Sequence, residues 1–304
     1  MRYSGFGQSG KAERCRDCVG GGLCAKDEKS DRRVEMDIGN KIENKVIVSV
    51  APVSAVPHDI NAQALADEIV RCCSEGASMV HLHVRDKGGC LTDDLSEFSA
   101  CVERVRQLSD IVIQASTGGI SEMNIIQRCA PLYLPTVETC SLNVGSVNLG
   151  AAVYQNPIGD VETCVNILLE QKKMPEIEIF ELGMVGAVRR LDKKLGLPRP
   201  TLMNLVVGHE GGCPAEPGAL TALWQYMGES FWGFTHAHRR DFGMMACALG
   251  LGARLVRIGL EDSPYLNGGT VNENPPLVAA LVKLIRAIGL EPATPQEARI
   301  MLGI

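Results

Sequence analysis

Two histidines, His81 and His83, stand two residues apart in the run His81-Leu82-His83-Val84-Arg85-Asp86. On an extended strand, side chains at i and i+2 project from one face. The pair therefore sets two imidazoles side by side, a donor set that suits zinc and also Fe(II), Ni or Cu. Farther along, Arg257 is followed by Glu261 and Asp262. Glu261 would complete a set of two histidines and one carboxylate with positions open to substrate. The same three residues also fit a surface ion pair, with Asp262 capping the turn into Ser263-Pro264.

The segment Gln114-Ala115-Ser116-Thr117-Gly118-Gly119 places hydroxyls ahead of two glycines. Such a turn lets backbone N–H groups come close to an anion, and a carboxylate is its natural guest. It fits equally an ordinary strand-to-helix turn capped by Ser121. Ser141-Leu142-Asn143 offers another hydroxyl and an amide. His236-Ala237-His238 is a second His-x-His, and His209-Glu210 adds a further histidine and carboxylate, so composition leaves open which pair holds a metal. Glu181 is expected at the same mouth. Cys90 and Cys213 have no neighbouring base fixed by spacing, which weakens a thiol nucleophile.

These residues need a frame. From Lys45 onward, short apolar runs alternate with longer amphipathic ones, a βα rhythm repeated about every 30 residues. Strands are expected at 46–51, 79–85, 111–116, 137–143, 176–182, 202–207, 231–236 and 254–260. Helices fall between them, at 61–74, 95–108, 161–172, 218–227, 242–249 and 276–288. Eight βα units within residues 45–304 fit a closed (β/α)8 TIM barrel better than an open doubly wound sheet. The glycines at 20–22, 118–119 and 211–212 do not complete a dinucleotide fingerprint. In a barrel, the chemistry belongs at the C-terminal ends of the strands, where the motifs above fall. Residues 1–44 are polar, lack a hydrophobic period and read as a flexible extension. Its Cys15, Cys18 and Cys24 have thiolate spacing for zinc but no fourth ligand nearby.

The 304 residues carry 30 Lys and Arg against 36 Asp and Glu, for a net charge of −6. That balance, with 4% aromatic residues, argues against nucleic acid or an anionic membrane as partner. No run reaches the roughly 18 apolar residues of a membrane span, and the first twenty residues lack an apolar h-region. The 12 cysteines are scattered through apolar runs, which fits reduced thiols and a cytoplasmic location. The apolar-rich barrel surface leads us to expect a homo-oligomer.

With the motifs at 81–86, 114–119 and 259–262 on three barrel strands in order, the sequence resembles the β-keto acid cleavage enzymes from about residue 45 to the C-terminus, including Ala293-Thr294-Pro295-Gln296-Glu297-Ala298-Arg299. The resemblance implies a zinc-bearing barrel that reacts a β-keto acid with acetyl-CoA, giving acetoacetate and a new acyl-CoA. It implies zinc on His81, His83 and Glu261. It also implies a substrate carboxylate held by Ser116 and Ser141; Thr117, Gly119 and Asn143 are expected beside them from the turn and strand end described above. Ser141 stands where the family pattern has Thr. Asp262 would be the general base, oriented by Arg257, whose charge is expected to pull its pKa down. In the member acting on an amino substrate, a Glu in the loop after the first strand binds the ammonium; Val56 stands at that position here. A buried apolar residue there disfavours a cationic tail, while His58, His236, His238 and Arg239 could line the distal pocket for an anionic one. A barrel hydrolase or aldolase activating water on the same metal is the competing enzyme class, and a non-catalytic ligand-binding barrel a third.

Overall fold

The computed structural model describes residues 42–228 and 230–304. Cys15, Cys18, Cys24 and nearly all of the expected extension lie outside them. Eight parallel strands form the barrel: β1 (Lys45–Val50), β2 (Met79–Leu82), β3 (Val112–Ser116), β4 (Thr139–Asn143), β7 (Met174–Ile179), β8 (Leu202–Val207), β9 (Phe231–His236) and β10 (Leu255–Ile258). Each pairs with the next, and β10 pairs back onto β1 with Ser49 opposite Arg257, which closes the ring. The helices between them are α1 (Ala62–Ser74), α2 (Ser96–Leu108), α3 (Ile125–Arg128), α4 (Ile158–Glu170), α5 (Leu182–Leu195), α6 (Pro217–Met227), α7 (Gly243–Gly250) and α8 (Pro275–Ala287), with α9 (Pro295–Leu302) at the C-terminus. The hairpin β5 (Val147–Leu149) and β6 (Ala152–Tyr154) follows β4, a short β11 (Tyr265–Leu266) and β12 (Gly269–Thr270) follow β10, and β13 (Glu291–Pro292) flanks β1.

The period-2 alternation of each strand sorts its side chains. Val46, Val48 and Val50 pack outward among the helices, whereas Ile47 joins Met79, Val112, Leu202 and Leu255 in a separate apolar layer inside the barrel. Ala298, Met301 and Leu302 of α9 pack into that layer. Its start is fixed by a capping box: Glu297 N–H donates to Thr294 Oγ1 while Thr294 N–H donates to Glu297 Oε2. One step up each strand the interior turns polar, with Ser49, His81, Gln114, Glu176, Asn204 and Arg257 all buried. Burying polar groups costs free energy unless they find partners, so a polar layer here departs from the apolar packing beneath it, toward the C-terminal ends of the strands.

The barrel matches the expectation strand for strand, and the differences are local. The second strand stops at Leu82 instead of Arg85, because Arg85 bridges antiparallel to Leu91 in the following loop. The fifth begins at Met174 and yields to α5 by Leu182. Asn61 does start α1, accepting the Ala64 N–H at 3.0 Å. Among the described residues no helix is long and apolar enough to cross a membrane.

Candidate active site

A cavity of about 730 Å³ opens at the C-terminal ends of the strands, where the polar layer meets the loops. His81 reaches it from β2 and His83 from just past the strand's end, their rings 5.2 Å apart and edge to face. Glu261 reaches it from the turn after β10, with Oε1 at 3.6 Å from His81 Nε2 and 3.5 Å from His83 Nε2. The three donor atoms lie within 4.8 Å of one another, and this is the one group of three His, Cys, Asp or Glu found so placed among the described residues. The second His-x-His is thereby set aside: His238 packs instead on the ring of His209, and His236 on Phe234.

The donor set fits a divalent metal on two counts. His81 Nε2 is fully buried with no hydrogen-bond partner, an orphan that a metal would satisfy. Burial holds the His81 imidazole neutral, with its pKa pushed down to about 3. Burial pushes the Glu261 pKa up, but the charges around it outweigh this and hold it below its usual range; with His81 neutral, the permanent cation Arg257, its Nη2 3.5 Å away, keeps the carboxylate ionised.

Backbone geometry places Glu261. Gly259 has φ +154°, and a Cβ there would collide with the Ala51 carbonyl, so only glycine lets β10 lie this close to the end of β1. The Glu261 N–H then donates to Ala51 O at 3.2 Å. Asn274, fully buried, accepts from Leu260 N–H at 2.9 Å and donates to Pro52 O at 3.0 Å and Glu68 Oε1 at 2.8 Å, tying the loops after β1 and β10 together.

Arg257 holds Asp262 with two bonds, Nε to Oδ2 at 3.1 Å and Nη2 to Oδ1 at 2.6 Å. Its Nη2 also lies 3.5 Å from Glu261 Oε1, and its Nη1 3.4 Å from Glu178 Oε1. One cation thus serves three carboxylates. The expected lowering of the Asp262 pKa is therefore corrected. Burial raises it above the ordinary aspartate value, and Arg257, shared as it is, only partly offsets this. Glu178 is pushed up to about 7 by the same burial.

The remaining predicted residues divide. Ser116 and Gly119 line the cavity. Ser141 is buried behind Ser116, its Oγ 3.3 Å away. Thr117 faces away from the cavity, its hydroxyl donating to Ser141 O at 2.6 Å and accepting from the Cys164 thiol. Asn143 is buried as well, its Oδ1 accepting the Gly145 N–H. Val56 was expected to be buried and instead is 71% exposed on the loop after β1, while Ala55 and Pro57 on either side line the cavity. Arg239 does not line the distal pocket. It is buried beneath the loop after β10, donating to Tyr265 O at 2.8 Å and stacking on Phe242. His58 is an exposed loop residue bonded to Val56 O. Glu181 precedes α5 and lines a different cavity, together with Cys213, whose thiol pKa burial raises. Cys90 sits among the exposed residues of the active-site cavity.

Sequence reasoning missed Glu178, Tyr154 and Phe180, all cavity-lining. Glu178 had a signal: Glu176-Ile177-Glu178-Ile179 alternates within a strand, so both carboxylates must face one way, into the barrel. Tyr154 had none. It arrives from the β5–β6 hairpin, and its hydroxyl fills the space a Cβ on Gly118 would need.

A parallel barrel that gathers a His/His/Glu group able to hold a metal and an arginine-held aspartate in one cavity at the C-terminal ends of its strands has the arrangement of a barrel enzyme. Residues 45–304 match the family model of the beta-keto acid cleavage enzyme, and the chain belongs to that family. It is 33% identical over 254 residues to a 3-keto-5-aminohexanoate cleavage enzyme of Fusobacterium nucleatum, covering 82% of this chain and 91% of that one. It is 27% identical over 301 residues to a 3,5-dioxohexanoate:acetyl-CoA acetone transferase of Paraburkholderia graminis, covering 86% and 96%. A solved structure, the ternary complex of ObcA with a C4-CoA adduct and oxalate, shares the fold with a TM-score of 0.70 at 20% identity, over 81% of this chain and 67% of that one. The protein is accordingly an acyltransferase that cleaves a carbon–carbon bond of a β-keto acid in an acetyl-CoA-dependent reaction.

Proposed function

We propose that this chain is a zinc-dependent enzyme converting a β-keto acid with a neutral or apolar tail, together with acetyl-CoA, into acetoacetate and a new acyl-CoA. The observation that carries it is the adjacency of Glu261 and Asp262. Successive residues turn one carboxylate to the histidines and the other into the Arg257 fork, within one cavity. His81, His83 and Glu261 would hold a divalent metal, which when bound would supply the Lewis acidity that lowers the barrier to C2 proton loss. Asp262 takes that proton on a carboxylate oxygen. Its raised pKa makes it a stronger base than a solvated aspartate, and Arg257 fixes its direction. Ser116 donates its hydroxyl to the substrate carboxylate, with Ser141 supporting it from behind.

The C2 carbanion then attacks the acetyl-CoA carbonyl, forming a C–C bond and expelling the CoA thiolate. The thiolate adds to the original keto carbon, and the C2–C3 bond breaks to leave the acyl-CoA and acetoacetate. Asp262 returns the proton to C2. Leu91, Ile120, Met123, Leu149 and Phe180 give the cavity an apolar side for the tail.

The test is acetoacetate formation from acetyl-CoA and a panel of β-keto acids with neutral, anionic and cationic tails, each labelled with ¹³C at C2. Label in acetoacetate C2, fastest for the neutral tails, is the expected result. Label retained in a product made without acetyl-CoA would favour the hydrolase or aldolase reading.

A further inference from the structure

Behind His81 runs a chain of buried polar side chains that crosses the barrel interior. His81 Nδ1 lies 2.6 Å from Gln114 Oε1. Gln114 Nε2 donates to Glu176 Oε2 at 2.8 Å, and Asn204 Nδ2 donates to Glu176 Oε1 at 2.5 Å and to Thr235 Oγ1 at 2.9 Å. The chain thus runs across β2, β3, β7, β8 and β9, and all five residues are buried. None of Gln114, Glu176, Asn204 or Thr235 lines the active-site cavity.

The chain has a direction, set by the chemistry of its members. A carboxylate only accepts, whereas an amide has one donating and one accepting end, and a neutral imidazole has one nitrogen of each kind. Facing Glu176, Gln114 must present its NH₂, which turns its carbonyl oxygen toward His81. That carbonyl demands a proton on Nδ1. The proton on Nδ1 leaves the lone pair on Nε2, the buried atom that has no partner and faces Glu261.

We infer that Glu176, acting through Gln114, is a positioning residue that fixes His81 as the Nδ1–H tautomer and so aims the Nε2 lone pair at the metal position. The inference rests on the metal-site assignment above. It adds that ligand competence is set from β7, two side chains away from the metal. Outer partners of this kind change metal affinity by roughly 10–100-fold.

The test uses the full chain, ¹⁵N-labelled at histidine and stripped of metal with a chelator. The His81 nitrogens are assigned by their loss in His81→Ala, and zinc affinity is measured separately by chelator competition. Wild type should show His81 as the Nδ1–H tautomer. Glu176→Gln keeps shape but makes position 176 both donor and acceptor, so the direction is lost: mixed tautomers are expected, with zinc affinity reduced about tenfold. The double variant Gln114→Glu/Glu176→Gln rebuilds the direction, because the carboxylate introduced at position 114 would accept from His81 on one side and from the amide introduced at position 176 on the other. It should restore both the Nδ1–H tautomer and the affinity. An unchanged tautomer in Glu176→Gln, or no recovery in the double variant when circular dichroism shows both folded, would overturn the inference. Wild type with the Nδ1–H tautomer but no zinc affinity would overturn the metal-site assignment and leave the tautomer argument intact.

Discussion

The guanidinium of Arg257 meets Asp262 as a two-pronged fork, Nε to Oδ2 at 3.1 Å and Nη2 to Oδ1 at 2.6 Å. Two parallel bonds fix the plane of the carboxylate as well as its position. Substituting Asn at 262 retains size but offers the fork only one acceptor and leaves no proton acceptor of comparable strength. Asp262→Asn should therefore bind zinc as wild type does and lose about 10²- to 10⁴-fold in kcat. Steady-state rates alongside metal analysis check this, and full activity in that variant would move the base elsewhere.

Removing a metal ligand should separate binding from folding. His81→Ala and Glu261→Ala are expected to purify without zinc, measured by plasma emission spectroscopy, and to show no turnover even when zinc is added back at micromolar concentration. Equal zinc content in both variants and wild type would exclude this donor set.

Asn274 makes a prediction about stability. Its side chain joins Leu260, Pro52 and Glu68. Asn274→Ala strands those groups in a buried position, which costs about 2 kcal/mol. The measurement is the urea unfolding free energy, and a change below about 0.5 kcal/mol would show that the two loops are held by other contacts.

His209 gives a pH dependence. Burial, aided by the positive Arg257, pushes its pKa down to about 4, against about 6.5 in an unfolded chain. Above pH 6.5 both states are neutral and the residue contributes no slope. Between about pH 6.5 and 4 the unfolded chain binds the proton first, so stability falls as pH falls and levels off below 4. From pH 7 to 5, wild type should lose about 1 kcal/mol more than His209→Gln, allowing for solvent screening. Parallel losses in urea melts would contradict it.

Much of this architecture was legible in the sequence because parallel barrel strands are buried on both faces and read as apolar runs. His81-x-His83 was legible for the same reason, since two polar residues interrupting such a run must face inward together. Position at a strand end put Arg257, Glu261 and Asp262 at the barrel mouth, whereas the pairing of Arg257 with Asp262 rested on the family resemblance. What escaped notice depended on distance through space. Tyr154 enters from a hairpin with no local pattern, and Val56 was given a burial that only the loop path decides. Thr117 looked equivalent to Ser116, but neighbouring strand residues point to opposite faces, and its hydroxyl is engaged by Ser141 O. The Asp262 pKa was misjudged because counting one neighbouring arginine ignored both the burial and the two other carboxylates sharing it.

The central claim is that Asp262 removes the C2 proton of a β-keto acid before any acyl group moves. The most direct measurement is exchange of C2 hydrogen with D₂O, followed by NMR, for zinc-loaded protein with a neutral-tailed β-keto acid and no acetyl-CoA. Exchange well above the uncatalysed rate in wild type and at the uncatalysed rate in Asp262→Asn is the predicted result. Equal exchange in the two proteins, or none above background in wild type that nevertheless forms acetoacetate on adding acetyl-CoA, would contradict it.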